Sequence, residues 1–165
     1  MGRVKFILKE FPTHVAKTAN KVAANKMLKI NNQAIYNGYI NRFTRNIVIG
    51  NMHTWLQTEF KRYIPYKHST LAFPVNVTVN IYTVKNHGSI SMRSGTVRWK
   101  PAKASYKPSW DIDNLATIWI KAICDVLTKE GIIPDDNVAF IKGIRYNYKE
   151  VSHIDKRKIE IIING

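Results

Sequence analysis

Acidic residues are what this chain lacks: 11 Asp and Glu stand against 26 Lys and Arg in 165 residues, a formal net charge of +15. That balance favours a polyanionic partner, nucleic acid or an anionic membrane, and says nothing of fold. The membrane fits less well, because it calls for a basic amphipathic helix and the cations here are spread through strand and loop patterns that also carry Trp and Tyr. Cysteine is almost absent. Cys124 alone excludes an intrachain disulfide or a zinc ribbon, and its place just before Asp125 on a helical pattern reads as a core thiol rather than a redox or catalytic one. Long apolar runs are missing, and nothing approaches the roughly 20 residues of a membrane span. The start, Met1-Gly2-Arg3-Val4-Lys5, lacks the length and small-residue cleavage site of a secretory signal, so an intracellular protein is expected. The five histidines, His14, His53, His68, His87 and His153, show no metal-ligand spacing and read as surface or packing residues.

Repeats, low-complexity tracts and inter-domain linkers are missing as well. With 45% hydrophobic and 11% aromatic residues the chain has ample material for one compact domain spanning residues 1–165. Residues 3–11 alternate Val4, Phe6 and Leu8 with Arg3, Lys5 and Ile7, the period of a half-buried strand, and Pro12 ends it. The lysine-dotted segment up to about residue 31 is compatible with a loop or a short helix. Between residues 32 and 64, Ile35, Tyr39, Phe43, Ile47, Val48, Trp55, Leu56, Phe60 and Ile64 recur every three or four positions, predicting one long helix with Gly50 as a point of interruption. In 71–84, Val75, Val77, Val79 and Ile81 alternate with Asn76, Thr78, Asn80 and Tyr82, the strongest strand signal in the chain. A hairpin punctuated by His87-Gly88 and Ser94-Gly95 is followed by a basic loop from Arg98 to Ser109. A second helix over 113–129 has Leu115, Ile118, Trp119, Ala122, Ile123, Val126 and Leu127 as its apolar stripe, with Gly131 as its stop. Strands over 138–148 and 158–163 close the chain and are expected to be antiparallel neighbours. The expected class is α+β: a mixed, mostly antiparallel sheet with a long helix in the N-terminal half and a second helix after an Asp-x-Asp-Asn motif.

The scarce acids are unevenly placed. Residues 1–110 hold 18 Lys/Arg against Glu10 and Glu59, a net +16, while 111–165 hold 8 against 9, a net −1. Five aspartates, Asp111, Asp113, Asp125, Asp135 and Asp136, fall between residues 111 and 136. Carboxylates repel one another at close range, so such grouping implies a compensating cation, and a hard ion such as Mg²⁺ takes oxygen ligands. In Asp111-Ile112-Asp113 alternate residues of an extended segment point the same way, so both carboxylates can face one ion just before the helix begins. Each motif also has a plainer reading: Asp113 or Asn114 as a helix N-cap, and Pro134-Asp135-Asp136-Asn137 as an ordinary turn. On the helix, Asp113, Thr117, Lys121 and Asp125 recur at intervals of four and share a polar stripe. Lys121 there either neutralises phosphate charge in a transition state or forms a solvated pair with Asp125, worth about 0.3–0.5 kcal/mol; spacing alone leaves both open.

The run Trp110-Asp111-Ile112-Asp113-Asn114-Leu115, then Lys121-Ala122-Ile123-Cys124-Asp125-Val126-Leu127, then Gly131-Ile132-Ile133-Pro134-Asp135-Asp136-Asn137-Val138 resembles the signature of RusA-type Holliday-junction resolvases. In that family an Asp-x-Asp-Asn opens a helix bearing a lysine and a further aspartate, and an Asp-Asp pair follows. The resemblance implies a Mg²⁺-dependent endonuclease, with Mn²⁺ as a substitute, acting as a homodimer that makes paired nicks in branched DNA such as four-way junctions. It would give metal binding to Asp111, Asp113 and Asp136, with Asp135 beside them, and a catalytic role to Lys121. It also implies a place in the cytoplasm or nucleoid and is compatible with a phage or prophage source. One departure stands out: the family lysine lies four residues after the second aspartate, where this chain has Thr117, so Lys121 sits roughly 6 Å further along the helix axis.

Cations interleave with aromatics in Lys61-Arg62-Tyr63-Ile64-Pro65-Tyr66-Lys67-His68 and from Arg93 to Trp110, a mix that holds phosphates and offers ring faces to unstacked bases. Arg93, Arg98, Trp99, Lys100, Lys103, Tyr106 and Lys107 are the expected DNA contacts; Trp110 belongs to the same run, and the 61–68 segment reads equally as a nucleic-acid contact and as core packing of its tyrosines with a solvated face for its lysines. Two further functions compete with the nuclease: a non-catalytic nucleic-acid-binding module whose acids only cap and turn, and a structural component of a nucleoprotein assembly.

Overall fold

In the computed structural model, residues 2–9, 11–12, 14–17, 27–30, 35–36, 40–62, 71–84, 89–93, 96–100 and 112–165 are described, with backbone alone for 14, 16, 27, 29, 89–93, 96–100, 112–114 and 154. They form an α+β arrangement in which two helices cover a four-stranded mixed sheet. The strands are β1 (Arg3–Lys9), β4 (Val75–Thr83), β7 (Ile141–Glu150) and β8 (Lys158–Asn164), in the spatial order β1-β8-β4-β7. β8 is antiparallel to both β1 and β4, and β4 is parallel to β7. Two small antiparallel pairs accompany the sheet: β2 (His14–Ala16) with β3 (Met27–Lys29), and β5 (Ser89–Arg93) with β6 (Thr96–Lys100).

Alternation decides which side each strand residue faces. Val4, Phe6 and Leu8 of β1, Val75, Val77, Val79 and Ile81 of β4, and Ile159, Ile161 and Ile163 of β8 are all buried in one cluster with the helices. The first helix, α1 (Arg42–Lys61), contributes Val48, Met52, Leu56 and Phe60 at three- and four-residue spacing. The second, α2 (Ile112–Lys129), contributes a wider stripe centred on Trp119, Ile123 and Leu127. Phe6 meets Phe60 edge-on at 5.0 Å, which seats α1 on β1. Gln57 Nε2 donates to Glu130 Oε1 at 3.1 Å, joining the end of α2 to α1.

Several boundaries differ from the sequence expectation. The long helix starts at Arg42, not near residue 32, because Asn41 is extended and its side chain accepts a bond from Thr44 N–H at 2.8 Å, an N-cap that fixes the start. Phe43, one of the supposed stripe positions, is 75% exposed for the same reason: it lies in the first turn, ahead of the buried positions. Gly50 does not interrupt the helix. The segment before residue 31, read as loop or short helix, holds β2 and β3, and Arg98–Lys100 belong to β6 rather than to a loop. β7 and β8 are not neighbours. β4 lies between them, because a strand reached from β4 through a helical crossover joins it in parallel, and the chain then returns to the other side of β4. Gly131, at φ +66°, ends α2 as expected, with its N–H bonded to Thr128 O at 3.0 Å.

The sheet face turned away from the cluster is polar and laterally bonded. Asn147 Nδ2 of β7 donates to Asn80 Oδ1 of β4 at 2.8 Å, Asn80 Nδ2 donates to Glu160 Oε2 of β8 at 2.9 Å, and Lys5 Nζ of β1 lies 2.7 Å from Glu160 Oε1. One chain of side chains thus ties all four strands. The hydrogen bond from Lys5 holds the Glu160 carboxyl below its ordinary range, with a smaller contribution from Asn80. A depressed carboxylate contributes stability that is present above its unfolded pKa, near 4.5, and is lost as pH falls through the folded value. Glu160→Gln is therefore expected to cost about 1–2 kcal/mol at neutral pH, and urea melts should show the gap to wild type closing below about pH 4. A gap that stays constant on acidification would remove the ionic origin.

Candidate functional site

Helix α2 sets its apolar stripe against the sheet and leaves Thr117, Lys121 and Asp125 on its polar side. The chain then turns at Gly131 and passes through Pro134-Asp135-Asp136-Asn137 before entering β7. That turn is internally bonded. Asp135 Oδ1 accepts from Asp136 N–H at 2.8 Å, Asp135 Oδ2 from Asn137 Nδ2 at 2.7 Å, and Asn137 Oδ1 from Ala139 N–H at 2.9 Å. Both Asp135 oxygens are thus engaged in shaping the turn, as the plain turn reading requires. The Asp136 carboxylate is exposed and makes no ion pair or hydrogen bond with the described residues.

Asp136 lines a shallow cleft of about 380 Å³ together with Thr117, Ile120, Lys121 and Cys124 of α2 and Ile144 and Tyr146 of β7. Residues distant in sequence meet here because the α2–β7 connection folds back along the helix. Burial pushes the Cys124 thiol up to about 11, and the negative charges of Asp136 and Asp125 push in the same direction, against the Lys121 ammonium. Lys121 is 61% exposed, with Nζ 3.8 Å from Asp125 Oδ1, a solvated pair of low energy.

Asp113 occupies the backbone position one turn before Thr117 on α2, but its side chain is outside what the structure describes, and so is Asp111 altogether. Among the described residues no group of three His, Cys, Asp or Glu side chains gathers as a metal site. Of the expected DNA contacts, Arg93 closes β5, with Thr96 as its partner, and Arg98, Trp99 and Lys100 lie on β6 opposite Ser91, Ile90 and Ser89. Lys103, Tyr106, Lys107 and Trp110 lie outside the described residues, as does the 63–68 part of the other basic segment. No family model matches this chain, and no curated protein matches it. The resemblance to the resolvases therefore rests on the motif residues. Among the described residues no helix is long and apolar enough to cross a membrane.

One neighbour of the site was invisible in the sequence. His53 of α1 places Nε2 3.3 Å from Asp125 Oδ2, though off the line of a hydrogen bond. Burial pulls its pKa below the ordinary value despite the opposing pull of Asp125, so the ring is neutral at physiological pH. Asp125 is thereby flanked by His53 and Lys121, while Asp136 faces solvent. Ile144 and Tyr146, half of whose β7 neighbours are charged, give the cleft an apolar wall that no spacing rule would have assigned to it.

Proposed function

We propose that the chain is a Mg²⁺-dependent, structure-selective DNA endonuclease of the RusA kind, cutting four-way junctions or other branched DNA by paired nicks. The observation that carries this reading is the meeting of Asp136 with Thr117 and Lys121 in one exposed cleft, one helical turn from the backbone position of Asp113. A carboxylate that is exposed and without a partner among the described residues, lining one cleft with a lysine in a chain of net charge +15, fits a hard cation and a phosphate better than it fits a structural pair.

In this reading Asp111, Asp113 and Asp136 hold Mg²⁺, with Mn²⁺ accepted. When bound, the ion supplies water activation and charge neutralisation at the scissile phosphodiester. Lys121, one turn beyond Thr117, offers an ammonium to a phosphate oxygen, with Asp125 Oδ1 3.8 Å behind it and His53 on the other oxygen of Asp125. Asp135 shapes the loop that presents Asp136. The basic segment 93–110 contacts the DNA, and a twofold homodimer places two such clefts on symmetric strands.

The test is incubation of an end-labelled four-way junction with Mg²⁺, Mn²⁺ or EDTA. The expected products are two symmetric nicks with either metal and none in EDTA. Salt-sensitive binding without nicking under any divalent ion would instead identify a binding module, and equal binding of linear and branched DNA with no cleavage would identify a packaging role.

A further inference from the structure

The sheet face opposite the helices carries a pattern unrelated to the aspartate motifs. One register row crosses all four strands: Lys149 of β7 pairs with Tyr82 of β4, Tyr82 with Lys158 of β8, and Lys158 with Lys9 of β1. At about 4.8 Å per strand the row spans roughly 14 Å. Lys9 and Lys149 are exposed, and Lys158 and Tyr82 half-exposed. The two lysines flanking Tyr82 are ordered by the ring between them, Lys158 Nζ at 4.4 Å from the Tyr82 centroid and Lys149 Nζ at 5.3 Å. Tyr82 both separates two like charges and fixes where they stand, so less side-chain entropy remains to be lost when an anion binds.

Charge on this face is one-sided. Lys5 and Arg145 occupy the same side two rows away, and Arg3 one row beyond them. The carboxylate there, Glu160, is buried and held by Lys5 and Asn80. Its direct ion pair is with Lys5, Lys158 feels it as a weaker neighbouring charge, and no member of the Lys149–Tyr82–Lys158–Lys9 row forms an ion pair among the described residues. The Asn147–Asn80–Glu160 ladder beneath also stiffens the platform. A linear row of ordered cations suits a chain of regularly spaced negative charges rather than a single compact anion.

We propose that this open face is a second nucleic-acid surface, on which the Lys149–Tyr82–Lys158–Lys9 row holds a phosphodiester backbone without reading its sequence. It lies across the sheet from the Asp136 cleft and requires no cleavage chemistry there. The tyrosine ring, occupied by ammonium groups, orders the cations and does not stack on bases.

The experiment measures anisotropy of a labelled oligothymidine strand and of a labelled duplex with the full chain in EDTA, as a function of salt. Lys149→Glu/Lys158→Glu is compared with Arg42→Glu/Lys129→Glu, which makes the same charge change at exposed positions on the helices. The row variant is expected to bind at least about tenfold more weakly at moderate salt, with the slope of log affinity against log salt reduced by about two, one per lost phosphate contact. The helix variant should lose far less. Lys149→Gln/Lys158→Gln, which is gentler on the fold, should show the same slope change, and Tyr82→Leu should weaken binding where Tyr82→Phe does not. Equal losses in the row and helix variants would overturn the proposal, as would binding through this row to phosphatidylglycerol vesicles but to neither oligonucleotide. Because binding is read without metal, the result stands apart from whether the cleft cuts DNA.

Discussion

Under the proposed function, Asp136→Asn is expected to lower Mg²⁺-dependent nicking of a four-way junction by more than about 100-fold, since losing the direct ligand that this proposal makes of Asp136 would cost more than the 10–100-fold typical of groups behind the ligands. Junction binding in EDTA should stay intact or tighten, because a negative charge has left the neighbourhood of a polyanion. The protein should stay folded: the Asp136 carboxylate is exposed, and the hydrogen bond at this residue uses its backbone N–H. Asp135→Ala provides the contrast. It removes the acceptors that close the turn onto Asp136 N–H and Asn137 Nδ2, so its losses in activity should come with a lower melting temperature. Undiminished nicking by the Asp136 variant would exclude the nuclease reading of this cleft, whatever the DNA affinity.

Trp119→Ala is expected to destabilise the chain by roughly 3–5 kcal/mol, a large share of the roughly 5–15 kcal/mol that holds a typical domain together. Trp119 is 0% exposed and sits where three segments meet, edge-on to Phe11 at 5.6 Å and to Trp55 of α1 at 5.6 Å. Truncation would leave a cavity bounded by rigid rings that cannot collapse into it. Its indole Nε1 has no hydrogen-bond partner among the described residues, so Trp119→Phe loses volume but no hydrogen bond seen there and should cost less than half as much. Urea denaturation of the three proteins checks the order. A Trp119→Ala loss below about 1 kcal/mol would mean that this part of the core is looser than its packing implies.

Much of the architecture was legible because it is written in local periodicity. Val75, Val77, Val79 and Ile81 fixed the central strand and its buried face, and the stripe around Trp119 with Gly131 fixed α2 and its end. Partner choice was not legible. Val138 to Tyr148 reads as a strand in isolation, but nothing in its alternation says that it lies parallel to β4 rather than beside β8. The start of α1 was missed because Ile35 and Tyr39 keep helical spacing upstream of a cap, and Asn41 terminates the helix through a single side-chain bond. In the site, the polar stripe offered the Lys121–Asp125 pair as one of two readings of Lys121, and that pair is present at 3.8 Å; the meeting of Asp136 with the stripe depends on how the α2–β7 connection folds back. His53 beside Asp125 depends on how two helices dock, which no short-range pattern encodes.

The lone thiol turns the cleft into its own opening sensor. Cys124 is buried, and burial with the nearby Asp136 and Asp125 charges pushes its thiol up to about 11, so the thiolate is scarce near neutral pH. Alkylating reagents should therefore pass over the closed form and mark the chain when α2 lifts from its seat. The rate of that marking, followed with and without DNA, would time how often the floor beneath Asp136 and Lys121 breathes, with no label to engineer and no second cysteine to confuse the signal.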